Sequence, residues 1–173
     1  YLDTIKPTDS QFDLFPYQRL FLRALMRYNQ IYITATRAAS KSFLSVLGLY
    51  LQCVFIPNHK CSIVAPVKTQ GVKIMRQKVE EILKIWPLLE KELEVFMGKP
   101  HMNFSKDVAE LYFKNGSKFT CEGATDSSRG LRLHATFLDE VRDADGDIIS
   151  EVILPQLNVS RRDANGLVNP YEV

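Results

Sequence analysis

An α/β domain is the fold class this sequence predicts: a mainly parallel central sheet, helices on both faces and a β-hairpin insertion. Three observations predict it. Short apolar runs alternate with helical patterns through the first half of the chain, which is the order that builds parallel strands with helical crossovers. Two β-rich runs around Asn115-Gly116 form a hairpin signal, and an apolar strand, ATFLDE, follows at residues 135–140.

The elements follow in order. FPYQRLFLRALMRYN (15–29) has apolar residues at helical spacing and Pro16 near its first turn, so it reads as an amphipathic helix. IYITA (31–35) reads as a short buried strand, and Lys41 to about Phe55 as a helix apolar on most sides, hence buried beneath the sheet. CSIVAP (61–66) is a second apolar strand. The next segment, KTQGVKIMRQKVEEILKIW, sets Val72, Met75, Val79, Ile82, Leu83 and Trp86 on one helical face and Lys73, Arg76 and Lys84 on the other. In ELYFKNGSKFTCEG (110–123), Asn115-Gly116 suits a primed hairpin turn. DIISEVILPQL (147–157) reads as a short helix before a polar, turn-rich tail at 160–173.

Composition bounds the rest. The 173 residues, 46% hydrophobic and 24% charged, suffice for one sizeable core, so residues 1–173 read as a single domain. A net charge of +2 says nothing firm about nucleic acid. The polar N-terminus shows no signal peptide, and the longest apolar run is too short to span a bilayer. Cys53, Cys61 and Cys121 sit in apolar segments without metal-ligand spacing, and read as buried free thiols in a reducing compartment. The tail closes no element, so the chain reads as part of a longer protein.

The chemistry concentrates in TRAASKS (36–42). A phosphate loop has the form G-x-x-x-x-G-K-[ST]. Laid on this chain, its glycine positions fall on Ala35 and Ser40, while Lys41 and Ser42 stand in place at the start of a helix. Such a loop needs converging backbone N–H groups and a helix N-terminus, a lysine for the β/γ-phosphates and a hydroxyl for Mg²⁺. Lys41 and Ser42 supply the last two, and the small Ala38, Ala39 and Ser40 let the backbone approach closely. Ser40 would be strained wherever φ is positive, by about 1 kcal/mol. The same pair also suits a plain helix start with Ser40 as N-cap. Asp139 and Glu140, at the end of an apolar strand, suit a metal-holding carboxylate followed by a water-activating one; an acidic turn is the other account. Together the two motifs point to nucleotide binding.

TRAASKS with FLDE, preceded by PYQ and SSRGLR, resembles the ATPase domain of the large terminase subunit of tailed bacteriophages, the motor that packages DNA. Thr36-Arg37-Ala38-Ala39-Ser40-Lys41-Ser42 fits that family's loop in all but the glycine, and the likeness runs from about Phe15 to Leu157. The resemblance implies a P-loop NTPase of the ASCE type, with ATP and Mg²⁺ as cofactors. ATP would be bound by Gln18 and residues Thr36, Arg37, Ala38, Ala39, Ser40, Lys41 and Ser42, and the metal by Ser42 and Asp139. Glu140 would be the general base. Gln18 would read the adenine edge, as its amide can donate and accept together. Arg37 would stabilise charge developing at the phosphates, and Arg129 would reach into a neighbouring subunit's site. The implied partners are double-stranded DNA, further copies in a ring, the portal protein and the small terminase subunit, in the cytoplasm of an infected bacterium.

Two departures stand out: Ser40 in place of glycine, and the absence of the family's nuclease domain. A helicase-like nucleic-acid translocase, or a nucleotide-binding assembly module with weakened catalysis, would carry the same motifs. VRDADGD (141–147) is not a calcium loop, because its glycine precedes the third acid and no glutamate closes it.

Overall fold

In the computed structural model the described residues are 1–28, 30–36, 39–125, 132–140 and 145–157. Helix α1 spans Pro16–Arg27, α2 Lys41–Phe55 and α3 Lys68–Ile85. Between α2 and α3 runs strand β1, Lys60–Ala65. A 3₁₀ turn, Pro87–Glu92, leads to a small hairpin of β2 (Val95–Phe96) and β3 (Lys99–Pro100). Strands β4 (Met102–Phe104), β5 (Ala109–Tyr112), β6 (Lys118–Gly123) and β7 (Ala135–Leu138) complete the strands. The last helical stretch has three parts: α4 (Gly146–Ile148), a π turn (Ile149–Ile153) and α5 (Leu154–Gln156).

Five strands form one sheet in the order β4-β5-β6-β1-β7. Its β6, β1 and β7 are parallel, and β5 and β4 extend it antiparallel. The register explains why both faces are covered. Cys61 stands level with Phe119 and Ala135, and Ile63 with Cys121 and Phe137. Since side chains alternate along a strand, these rows share one face, and all belong to the large core with α1, α2 and α3. The opposite face carries Val64 and Leu138, against which Val152 and Ile153 of the last helical stretch pack. On that same face, two residues earlier, Ser62 and Thr136 pair hydroxyl to hydroxyl at 3.1 Å.

Close packing sets the helices. A Cβ at Gly48 of α2 would collide with Leu25 of α1, so glycine lets the two helices approach. Gln52 fixes their level by donating from Nε2 to the Leu25 carbonyl at 2.8 Å. Trp86 is buried and donates from Nε1 to the Leu2 carbonyl at 3.1 Å, tying the N-terminal segment to the core. The three cysteines are buried and free, as expected, with Cys53 Sγ and Cys61 Sγ 3.2 Å apart.

Two expectations need correction, and a third, the short helix over 147–157, holds with a local change of winding. Residues 31–35 are not a strand: segment 30–36 joins no sheet, Tyr32 is 89% exposed, and among the described residues β7 pairs only with β1. β-propensity measures fit to a paired, half-buried surface, and among the described residues no strand pairs with the segment. The hairpin turn is not primed. Gly116 has φ 82° but Asn115 is not in the left-handed region, and Phe113 and Ser117 close a three-residue loop, so the turn is type I with a glycine bulge. Asn115 explains this choice: its Nδ2 donates to the Cys53 and Val54 carbonyls at 2.8 and 3.1 Å, capping the end of α2. Finally, the helix expected over 147–157 passes through a π turn, where the Leu154 N–H reaches back to Ile149. Pro155 follows and has no N–H of its own to continue the ladder.

Candidate nucleotide site

Chain direction brings the two motifs to one edge of the sheet. Helix α2 ends at Phe55, and after a link of four residues β1 begins, packed against the same helix. Fifteen helical residues rise about 22 Å and six strand residues about 20 Å. The start of α2 therefore returns to the level at which β1 ends. Because β7 runs parallel to β1, it ends there too. Lys41 and Ser42, at the first two positions of α2, thus share the carboxyl edge of the parallel strands with Asp139 and Glu140. Ligand sites in open α/β sheets occupy this edge.

Ser40 is the N-cap of α2 with φ 56° and ψ 26°, the left-handed conformation that glycine favours, and its side chain makes no capping hydrogen bond. The capping account of Ser40 therefore fails. What the backbone does at Ser40 is what a glycine would do. The Leu44 N–H bonds the Ser40 carbonyl at 2.9 Å, and Ala39 N–H bonds Thr36 at 3.3 Å. Lys41 is exposed and Ser42 half-buried, and no carboxylate lies in the first turn of α2. The N-terminal peptide dipoles and Lys41 accordingly add their positive potential at one point.

Asp139 is half-buried, and its N–H donates to the Val64 carbonyl at 3.0 Å. Glu140 is exposed and, like Ser40, has positive φ, at 50°. Two non-glycine residues held in the left-handed region at one edge mark it as a place where backbone strain is stored. Gln18 lies in the first turn of α1, on the face that α2 covers. It is buried, and its Oε1 accepts the Phe15 N–H at 2.9 Å. Leu22 and Leu25 lie beside Gly48, which sets the Gln18 end of α1 toward the start of α2. Arg37, Ala38 and Arg129 lie outside the described residues, as do positions 141–144 of the rejected calcium loop.

Sequence reasoning passed over two residues at this edge. Lys68 opens α3 just past the end of β1, and its Nζ lies 3.2 Å from Glu122 Oε2 near the end of β6. Their position at the carboxyl ends of β1 and β6 was the signal that could have found them.

Fold and site together define an α/β domain whose strand ends carry a lysine-serine helix start beside paired acids. Two solved structures share the fold. The large terminase ATPase domain of Thermus phage P74-26 superposes with a TM-score of 0.51 at 21% identity, over 84% of this chain and 66% of that one. The large terminase of a thermophilic bacteriophage gives 0.64 at 12% identity, over 85% of this chain and 36% of that one. The chain thus spans just under two thirds of the first and about a third of the second. No family model and no curated protein matches the sequence.

Proposed function

We propose that this chain is the ATPase motor domain of a viral terminase, hydrolysing ATP with Mg²⁺ to drive double-stranded DNA into a procapsid. What supports the reading is that chain direction sets Lys41-Ser42 and Asp139-Glu140 toward the same sheet edge, in a fold shared with terminase ATPase domains. The finer assignment to the ASCE group of P-loop NTPases belongs to the same reading.

In this account the N–H groups that open α2, with Lys41, hold the β- and γ-phosphates. The left-handed backbone at Ser40 turns those N–H groups toward one point without a glycine. The donor set fits Mg²⁺: Ser42 Oγ and the Asp139 carboxylate are hard oxygen ligands, and this ion needs only one or two carboxylates besides substrate phosphates. Held by Ser42 and Asp139, the ion would supply positive charge to neutralise what develops on the phosphates. Among the described residues no group of three or more His, Cys, Asp or Glu gathers to cage a metal. Glu140, exposed at the strand end, accepts a proton from the attacking water. Gln18, buried with its Oε1 already accepting the Phe15 N–H, would offer the adenine edge its Nε2, and Arg37 would add positive charge beside the phosphates. Arg129 completes the site of the next copy in a ring, with the portal protein and small terminase subunit as further partners in the infected bacterial cytoplasm.

The test is ATP turnover with Mg²⁺ across protein concentrations, for the unaltered chain and for Arg129→Ala. Turnover per subunit that rises with concentration, and is lost in Arg129→Ala, supports a motor completed by its neighbour. ATP binding without hydrolysis at every concentration would instead indicate a nucleotide-holding assembly module.

A further inference from the structure

Helix α1 turns one face inward, with Gln18 and Leu22 buried. Its outward face carries Tyr17, Leu20, Arg23 and Arg27, all exposed, with Leu20 68% so. No acidic residue lies anywhere in the helix. Arg19 is held by Asp3 at 2.6 Å, but among the described residues no carboxylate stands within ion-pair distance of Arg23 or Arg27. Exposed tyrosine and arginine are the enriched residues of protein interfaces, and Leu20 between them adds an apolar centre.

The complementary surface lies across the sheet. The stretch from α4 to α5 covers the opposite face through Val152 and Ile153, and its own outward side exposes Asp145, Asp147 and Leu154. The described residues from 139 to 157 include no lysine or arginine. Among the described residues, the outward side of α1 is thus cationic with an apolar centre, and that of α4–α5 is acidic with an exposed leucine. Because α1 belongs to the layer on the α2 side, the two surfaces point away from one another and cannot meet within one chain.

We infer that the outward face of α1 docks on the α4–α5 surface of a second copy of this chain, Arg23 and Arg27 facing Asp147 and its neighbours, and Leu20 packing near Leu154. Unlike patches on opposite sides give a head-to-tail contact, which repeats around a ring or along a filament. The inference rests on the motor reading in taking the occupant to be a second copy, and it names the faces through which copies meet.

Sedimentation velocity of this chain over a range of concentrations tests it, with folding checked by circular dichroism. Arg23→Glu with Arg27→Glu, and separately Asp147→Lys, are each expected to weaken self-association at least about tenfold, because each sets like charges face to face. Leu20→Ala weakens it with no change of charge. An equimolar mixture of the two reversed proteins is expected to recover association as mixed pairs. Association untouched by either reversal, a mixture that fails to recover it, or an unaltered chain that stays monomeric throughout, overturns the assignment of these faces. ATP binding measured on the same samples reports on the motor reading separately, since neither surface contains Lys41 or Ser42.

Discussion

The backbone N–H of Asp139 donates to the carbonyl of Val64 at 3.0 Å, the last rung between β7 and β1. This bond carries the ladder past the end of β7, so the first of the paired acids is held by the sheet. Glu140 comes next, with its left-handed backbone turning the chain away.

If Glu140 removes the proton from water, Glu140→Gln should lower ATP turnover by at least about a hundredfold, since a positioned base contributes that much or more. Nucleotide affinity should stay close to that of the unaltered chain, because the neutral isostere keeps the shape of the site. Single-turnover hydrolysis beside equilibrium binding separates the two effects.

At Ser40 the left-handed backbone costs a non-glycine residue about 1–2 kcal/mol. Glycine relieves this strain but gives back about 0.4–1 kcal/mol through the freer unfolded chain. Ser40→Gly is therefore expected to leave urea stability within about 1 kcal/mol and ATP binding no weaker. Ser40→Val, β-branched at the same φ, should lose stability and binding together.

Gly116 has φ 82°, and a Cβ there would press on Asn58 Oδ1. Gly116→Ala should cost about 1–2 kcal/mol in urea unfolding from the backbone alone. Asn115 caps α2 through the same turn, so thermal unfolding of the variant should also show earlier loss at the α2 end by hydrogen exchange.

Glu110 and Lys118 pair at 2.8 Å across β5 and β6, with Lys118 Nζ 4.9 Å from the centre of the Tyr112 ring. The hydrogen bond from Lys118 holds the Glu110 carboxyl below its ordinary range, against the opposing effect of burial, and the Tyr112 hydroxyl adds to it. Burial pushes the Lys118 ammonium down, but its hydrogen bonds to Glu110 and Tyr112 outweigh this and hold it above its ordinary value. A depressed carboxyl contributes stability above its unfolded-state value and loses it as pH falls through the folded one. The raised ammonium contributes below its unfolded-state value and loses it as pH rises through the folded one. Stability of the unaltered chain should thus fall at both extremes. Glu110→Gln should flatten the acid side, as read from urea midpoints at neutral and acid pH.

Much of this was legible in the sequence because local and tertiary preferences agree. In α2, an apolar stretch interrupted by Gly48 runs from Lys41 to Phe55 and is buried nearly all round, so both ends were readable. The apolar stripe of α3 and the run ending in Asp139 were readable for the same reason. Residues 31–35 have a strand's composition, yet whether a strand forms depends on a partner that composition cannot name. The type of turn at Asn115-Gly116 was hidden because it follows from a long-range bond to α2. The small hairpin of β2 and β3 was missed, since two-residue strands give no alternating pattern to read. Burial of Gln18 was invisible too, as a polar residue on the packed face of α1 breaks the apolar rule and is held there by the Phe15 N–H.

The most direct measurement is the affinity for ATP with Mg²⁺ of the unaltered chain beside Lys41→Ala, by titration calorimetry, with circular dichroism to confirm the fold. Lys41 is exposed at the first position of α2, so its removal should leave the core intact. The account predicts that the unaltered chain binds and that Lys41→Ala binds about tenfold to a hundredfold more weakly, the loss of one charge-assisted hydrogen bond to phosphate. Equal affinity in the two proteins, or no binding by either, would contradict it.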